Sequence, residues 1–256
     1  MANEEGVYNM IISSTELQNN FGKYLLLAAK EDILISRNGT VIAKLSSVSE
    51  INRQAEPQRE FVHEKQGDYS YIGYGKTASF KEFMDLRNNT DERIEYIDGQ
   101  IYFLASPKTI HQRILGKLFG IFYNTFNGKK CEPFMAPYDI EMKRTPENIS
   151  MVQPDLMVIC DLEEKLGKDD YYKGVPDLIV EILSESTKKV DMVKKLDLYS
   201  VCGVKEYWIV NPWNRDIIVY QFQDSTFKNI KTFKTNETIQ SFIFEDLTVE
   251  VNNIFE

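Results

Sequence analysis

The chain has 256 residues, of which 43% are hydrophobic and 27% are charged, and its formal net charge is −9 at pH 7. This composition is typical of a globular protein and excludes a collagen-like, low-complexity or coiled-coil chain. The acidic balance argues against a protein that coats nucleic acid with basic patches, but not against an enzyme whose acids gather at a metal site. No apolar run approaches the roughly 20 residues that cross a bilayer, and no signal-peptide pattern opens the chain. We therefore expect a cytoplasmic protein without a membrane partner.

The three cysteines give little reason to expect a cysteine-based site. Cys131, Cys160 and Cys202 are odd in number and none of them forms a CxxC pair. We therefore expect neither a zinc site nor a disulfide framework. Cys160 and Cys202 lie in apolar runs, where a small buried side chain is the ordinary role of cysteine.

A first segment, up to residue 48, combines one helix with one hairpin. Ser13 or Ser14 is placed to cap a helix from Thr15, and two alternating runs, 32–36 and 40–45, flank an Asn-Gly turn. So small a segment cannot bury a full core alone, so we expect it to pair with a second surface. The apolar side chains predicted for that face are Leu17, Phe21, Leu25, Ile33, Ile35, Val41 and Leu45.

A polar segment, 49–75, is interpreted as a linker to a larger domain at 76–256. In that domain, Ser79 and Glu82 have the spacing of a capping box, and the run 93–104 reads as a hairpin that turns at Asp98-Gly99. A long helix with an apolar face is predicted over 110–126.

The rest of the domain reads as strands around one further helix. Strands are predicted at 139–144, 155–160, 177–183, 206–210 and 217–222, and a helix from Ser186 or Thr187 to near Cys202. The last residues are predicted to form antiparallel strands to the end. Because two of the strands are continuous apolar runs, they are expected at the centre of a covered sheet. The predicted fold class is α/β (α+β), a mixed sheet flanked by helices.

Three acids stand in or beside these apolar strands. Asp155 opens one strand, Glu181 lies within another, and Glu95 lies in the first strand of the predicted hairpin. Burying an unpaired carboxylate is costly, so each acid must meet a cation or a hydrogen-bond donor. A structural ion pair and a metal site both satisfy this requirement. Carboxylates without histidine or cysteine suit Mg²⁺ or Mn²⁺ rather than zinc.

The motifs of this domain resemble those of the Uma2 family. They are IEYIDGQIYFLASPKTIHQ (94–112), VQPDLMVIC (152–160), GVPDLIVEILSEST (174–187) and DMVKKLDLYSVCGVKEYWIVNP (191–212). The resemblance implies the restriction-endonuclease-like PD-(D/E)xK fold and metal-dependent cleavage of DNA. The alternative function is a non-catalytic DNA-binding or antitoxin-like regulator on a nuclease fold.

The same resemblance implies roles for individual residues. Asp155 and Glu181 would bind the metal together with the backbone carbonyl of Ile182, and Glu95 would be an outer or second-metal ligand. We expect the carboxylates of Asp155 and Glu181 to converge on one face of the sheet.

The catalytic lysine departs from the usual spacing. The usual lysine position holds Leu183, and the family pattern places the lysine in the following helix, at Lys195. Lys195 would orient or help to deprotonate the attacking water; its neighbour Lys194 is the competing assignment. Without catalysis, Lys195 would be an exposed helix lysine paired with Asp191. His111 occupies the histidine position of the family, where we expect helix capping or packing.

The first segment, 1–48, resembles the N-terminal module of Phd/YefM antitoxins through IISSTELQNNFGKYLLLAAKEDILISRNGTVIAKL (11–45). The resemblance implies a homodimer, operator DNA binding and a possible toxin partner of unknown identity. The charges of this segment nearly balance, so dimerisation is the property that we carry over.

Overall fold

The computed structural model describes residues 10–13, 16–17, 24, 27–28, 31–37, 40–46, 76–184 and 190–256. The chain divides into two units, Met1–Gly67 and Asp68–Glu256. The predicted linker at 49–75 lies outside the described residues and stays a prediction. Among the described residues, no helix is both long and apolar enough to span a membrane.

The first unit contains a three-stranded sheet. Its strands are β1 (Met10–Ser13), β2 (Ile33–Arg37) and β3 (Thr40–Leu45), in the order β1-β2-β3. The predicted hairpin is confirmed, because β2 and β3 pair antiparallel. The sequence did not predict β1, which runs parallel to β2.

A small core and a cap support this sheet. Ser13 Oγ accepts a hydrogen bond from Glu16 N at 3.0 Å, the contact expected of a helix cap. The buried core consists of Ile12, Tyr24, Ala28, Ile33 and Ile35. Of the predicted apolar face, Val41 is instead 48% exposed, and Phe21 and Leu25 lie outside the described residues.

The second unit contains the following strands and helices. They are β4 (Lys76–Thr77), α1 (Phe80–Asn88), β5 (Ile94–Ile97), β6 (Gln100–Phe103), α2 (Thr109–Phe126), β7 (Glu132–Met135), β8 (Ile140–Lys143), β9 (Ile149–Val152), β10 (Leu156–Ile159), α3 (Leu162–Lys165), β11 (Leu178–Ile182), a π-helix (Val190–Lys195), α4 (Leu196–Cys202), β12 (Glu206–Asn211), β13 (Asp216–Gln223), β14 (Thr226–Lys234), β15 (Thr238–Gln240), β16 (Thr248–Glu250) and α5 (Val251–Phe255).

Local sequence signals place the first of these elements as predicted. Ser79 caps α1, and Glu82 returns its side chain to Ser79 N, which completes the capping box. The hairpin of β5 and β6 turns at Asp98 and Gly99, with φ of +48° and +79°. Positive φ at both central residues is typical of a type I′ turn, which suits a two-residue hairpin. Asparagine, aspartate and glycine tolerate these angles best. The predicted long helix is present as α2.

Two sheets form the body of the unit. A six-stranded sheet has the order β14-β13-β12-β11-β10-β7, and a five-stranded sheet has the order β4-β6-β5-β9-β8. In the six-stranded sheet, β11 and β12 run parallel. All other strand pairs of these two sheets are antiparallel. Helix α2 covers one face of the six-stranded sheet, where Phe122 contacts Trp208 edge to face. The other face carries the aromatic core of Tyr199 and Tyr207.

The chain passes from one sheet to the other through Gln153-Pro154-Asp155, between β9 and β10. Glu95 lies in β5, which pairs with β9, and Glu181 lies in β11, which pairs with β10. This crossing therefore brings acids of both sheets to one junction.

Several expectations were wrong. Cys131 and Cys160 form a disulfide across 29 residues, although we expected none. The reason is strand register: Cys131 precedes β7, Cys160 follows β10, and Glu132 lies opposite Ile159 where these strands pair. The chain ends in helix α5 rather than in a strand, and β7 and β9 were not predicted. The predicted helix start at Ser186 or Thr187 lies outside the described residues.

Candidate active site

The structure brings Asp155 and Glu181 together. In the antiparallel pair of β10 and β11, Leu156 lies opposite Val180, and the same register continued by one residue sets Asp155 opposite Glu181. Residues directly opposite on adjacent strands share a face of the sheet. The backbone N–H of Ile182 donates to Asp155 Oδ2 at 2.8 Å and fixes this carboxylate beside β11. Both acids line one cavity of about 390 Å³.

Lys195 lies at the centre of the acids. Its Nζ is 2.9 Å from Glu181 Oε1, 3.0 Å from Glu95 Oε1 and 3.4 Å from Asp191 Oδ1. The side chain is 3% exposed, so the exposed helix lysine of the non-catalytic interpretation is wrong, although the pairing with Asp191 is present. Lys194 instead donates to Gln100 and Tyr102. Lys195 is therefore the lysine that reaches the acids.

The π-helix presents Asp191 and Lys195 to the same side. One wide turn of this kind inside a helix is uncommon and is often found at functional sites. Tyr207 OH donates to the backbone oxygen of Asp191 at 3.1 Å and anchors the turn to β12. The tyrosine of α4, Tyr199, donates to Glu181 Oε1 at 2.7 Å. The segment thus supplies a cation and a neutral donor to one carboxylate.

Glu95 reaches the junction from the five-stranded sheet. Its Oε1 accepts from Gln153 N at 2.7 Å as well as from Lys195, and the residue is 1% exposed. The Gln153 side chain accepts from Arg93 Nε at 2.9 Å and donates to Asp139 Oδ1 at 2.8 Å. Sequence reasoning missed Gln153, because a neutral side chain beside Asp155 gave no signal of a buried contact.

His111 contacts Asp155 rather than capping its helix. Its Nε2 is 3.1 Å from Asp155 Oδ2, and the N-cap of α2 is Lys108. Since a carboxylate only accepts hydrogen bonds, Nε2 is the donor in this contact. Asp155 is thereby held from two sides, by His111 and by the backbone of Ile182.

Lys195 and Glu181 shift each other's pKa. Burial alone would favour the neutral amine of Lys195, but the attraction of Glu181, Glu95 and Asp191 outweighs burial and raises its pKa well above the ordinary value. Burial raises the pKa of Glu181, as do the nearby Asp191, Asp155 and Glu95, against the opposing effect of Lys195.

The donor set fits a hard divalent cation. The hydrogen bonds to Asp155 and Glu181 use Oδ2 and Oε1, and within the described part of the chain Oδ1 and Oε2 accept none. In the same part of the chain, no three His, Cys, Asp or Glu side chains form a metal shell by themselves. Mg²⁺ commonly takes only one or two carboxylates and completes its shell with water and substrate phosphate. Two carboxylates in an acidic cluster meet that need.

Comparison with known proteins identifies the family of this domain. Residues 80–252 match the Uma2 family, which is described as "Putative restriction endonuclease". Two relatives from Synechocystis, "Uncharacterized protein slr1290" and "Uncharacterized protein sll1609", are 29% and 26% identical to the chain. The matches cover 60% and 57% of this chain, and 81% of each relative.

A solved structure shares the fold. It is a "putative nuclease belonging to DUF820" from Anabaena variabilis, with a TM-score of 0.57 and 18% identity. The match covers 70% of this chain and 97% of that chain. The similarity of the first unit to Phd/YefM antitoxins stays a prediction. The family match covers more than half of the chain, and the chain therefore belongs to the Uma2 family.

Proposed function

We propose that this protein is an endonuclease that hydrolyses DNA phosphodiesters with Mg²⁺ or Mn²⁺. The observation that carries the proposal is the position of Asp155 opposite Glu181, with Lys195 Nζ on the Glu181 carboxylate. In this arrangement Asp155, Glu181 and the backbone carbonyl of Ile182 hold the ion. A bound divalent ion lowers the pKa of a water ligand and offsets charge that develops on the phosphate.

The other side chains position the two ligands. Lys195 donates to Glu181 and to Glu95, so it ties the acids of the two sheets together and offsets their repulsion. Tyr199 directs the same oxygen of Glu181 and leaves Oε2 for the ion. Glu95 acts as an anchor for Lys195 and as an outer ligand. Each role depends on a side chain that the packing holds in one place.

The entrance of the cavity suits a phosphate. The first turn of α2 lines the cavity and contains no acidic residue. The N-terminus of an 18-residue helix carries partial positive charge that favours anions. Arg93 and Lys108 line the same cavity and add formal positive charge. DNA is therefore the proposed partner.

Plasmid cleavage tests the proposal. We expect supercoiled DNA to be nicked or linearised with Mg²⁺ or Mn²⁺, and Asp155→Asn to abolish the cleavage. Asp246→Asn is the matched control, because Asp246 has an exposed side chain and does not line the cavity. Wild-type protein that binds DNA but cleaves it with neither ion would favour the non-catalytic regulator.

A further inference from the structure

Arg93 enters the cavity of Asp155 and Glu181 from the five-stranded sheet. It directly precedes β5, and its backbone oxygen accepts from Leu104 N at 2.9 Å, which continues the pairing of β5 with β6. Alternate residues of an extended strand point to the same face, and Arg93 and Glu95 are two positions apart. Both line the cavity, and Arg93 is half-buried. The backbone of the sheet therefore fixes where this cationic side chain begins.

A chain of hydrogen bonds orients the guanidinium of Arg93. Its Nε donates to Gln153 Oε1 at 2.9 Å, and Gln153 Nε2 donates to Asp139 Oδ1 at 2.8 Å. Because a carboxylate only accepts hydrogen bonds, Gln153 must turn its amide nitrogen to Asp139 and its oxygen to Arg93. Asp139 is held in turn by Arg87, and Gln153 is 5% exposed. The packing thus holds Arg93 by Nε in one orientation.

The residue that holds Arg93 is neutral, so it leaves the positive charge of the guanidinium uncompensated. Over the residues that the structure describes, Arg93 forms no ion pair, and its terminal nitrogens Nη1 and Nη2 donate no hydrogen bond. Lys195 differs, because three carboxylates lie within ion-pair distance of its ammonium. A half-buried charge without a partner is unfavourable, so the guanidinium favours an anion that enters the cavity.

The remaining donors of Arg93 match a phosphate. A guanidinium carries five N–H donors in one plane, and a pair of them binds two oxygens of a phosphate at once. Since Nε is occupied by Gln153, that pair comes from Nη1 and Nη2. A carboxylate in the place of Gln153 would also orient the guanidinium, but it would neutralise the charge. The neutral amide therefore preserves both the orientation and the charge that phosphate binding requires.

We infer that Arg93 binds the two non-bridging oxygens of the phosphodiester that enters this cavity, and that Gln153 is the residue that positions it. The identity of the phosphodiester as a DNA substrate rests on the proposed nuclease function. The contact of Arg93 with a DNA phosphate can be measured without cleavage. Arg93 is thus assigned to the phosphate, and Lys195 to the carboxylates.

The salt dependence of DNA binding tests the contact of Arg93. The probe is a labelled DNA duplex of mixed sequence, bound to the full chain with Ca²⁺ and measured by anisotropy at about 50 to 200 mM KCl. Removing one contact between a cation and a phosphate lowers the slope of log Kd against log salt concentration by about 0.9. We expect this change in Arg93→Gln, together with a loss of about 10- to 150-fold in affinity.

Two further variants separate the geometry of Arg93 from its charge, and from charge elsewhere. Lys228→Gln is the matched control, because it removes the same charge from an exposed side chain of β14 that does not line the cavity. Arg93→Lys keeps the charge, but a single ammonium cannot present two parallel donors. We expect Arg93→Lys to have the slope of the wild type and an affinity between those of the wild type and Arg93→Gln.

A double-mutant cycle tests the positioning role of Gln153. Gln153→Met keeps the length of the side chain but removes the amide oxygen that holds Arg93 Nε. We expect it to weaken DNA binding in the wild-type chain and to have no further effect in Arg93→Gln, because the two residues act through one contact. Effects that simply add would overturn the positioning role. Urea denaturation of each variant measures any loss of folding.

Three results would overturn the role of Arg93: no binding of the duplex by the wild type, a wild-type slope in Arg93→Gln, or an equal change in Lys228→Gln. A purely structural role would give the second result together with a lower free energy of unfolding. The two proposals fail separately. A changed slope in Arg93→Gln without cleavage by Mg²⁺ or Mn²⁺ would remove the nuclease function alone. Cleavage with an unchanged slope would remove the phosphate contact alone.

Discussion

Lys195 Nζ lies 2.9 Å from Glu181 Oε1, and both side chains are at most 4% exposed. A pair so fully removed from water gains little over a well-packed apolar pair, but removing one partner leaves a buried charge unpaired. The cluster contains three carboxylates within ion-pair distance of this single ammonium. The stability of the junction therefore depends on Lys195 more than on any one of its acids.

Replacing Lys195 by methionine should reduce the free energy of unfolding by about 3–5 kcal/mol. The methionine keeps most of the side-chain volume but leaves Glu95, Glu181 and Asp191 without their shared cation. Urea denaturation followed by circular dichroism measures the loss. The double variant Lys195→Met with Glu181→Leu should regain part of the lost free energy of unfolding, because it removes the Glu181 carboxylate together with the lysine. Simple addition of the two single effects would contradict this coupling.

His111 should matter for the function more than for the fold. Its Nε2 donates to Asp155 Oδ2, so His111→Phe should leave this proposed ligand less well oriented. Loss of such an outer contact typically costs about 10- to 100-fold in metal affinity or activity. The measurement is the Mg²⁺ concentration that gives half-maximal plasmid cleavage. His63→Phe, at the other histidine of the chain, is the control, and equal effects of both substitutions would refute the role of His111.

The sequence predicted those features of the fold that a few adjacent residues determine. The capping box at Ser79 and the Asp98-Gly99 turn each depend on a few adjacent residues, and the structure has both. Glu181 was found because a charge within an apolar strand is costly and requires a partner. Such signals do not depend on which strands pair.

Local sequence patterns could not specify contacts that depend on strand pairing, and only the family resemblance assigned Glu95 and Lys195 to one site. Glu95 and Lys195 are 100 residues apart, and they meet only because two sheets join at Gln153-Pro154-Asp155. The same holds for the disulfide between Cys131 and Cys160, which the pairing of β7 with β10 brings together. Neither pairing has a pattern that can be read from adjacent residues.

The disulfide should be visible in a thiol titration. Burial raises the pKa of the Cys202 thiol to about 11, so this cysteine should react slowly in the native protein at about pH 8. Denatured, unreduced protein should show one thiol per chain, and reduced protein should show three. Cys131→Ser should reduce the free energy of unfolding by about 3–4 kcal/mol, because the bond closes a loop of 29 residues. Three thiols before reduction would refute the pairing.

Alkaline pH should destabilise the protein through its buried tyrosines. Burial raises the pKa of the Tyr220 phenol to about 12. Because the folded state favours the protonated phenol, its contribution is complete below the pKa of an exposed tyrosine, about 10, and is lost as the pH rises toward the folded value. We expect a loss of about 2–3 kcal/mol from this group between these limits. Urea denaturation at about pH 9 and about pH 11 should show about half of this loss, about 1.3 kcal/mol.

Tyr220→Phe should remove this part of the pH dependence, since no phenol is left to ionise. Tyr123→Phe is the control, because Tyr123 is 53% exposed. An equally steep loss of stability in both variants would show that Tyr220 does not contribute. The absorbance of tyrosinate should rise in the same pH range as unfolding.

The first unit should join two copies of the chain. In strand β3, Val41 is 48% exposed and Ile42 is 57% exposed, and Ile11 in β1 is 60% exposed. Apolar area left in water costs about 25 cal/mol per Å², so covering these side chains favours a homodimer. We expect light scattering to report a dimer for the full chain and a monomer for Val41→Glu with Ile42→Glu. Val201→Glu is the control. Val201 is also exposed, at 41%, but it lies in the second unit, so this variant should remain a dimer. A monomeric wild type would refute the prediction, and a dimer that survives both glutamates would place the contact elsewhere.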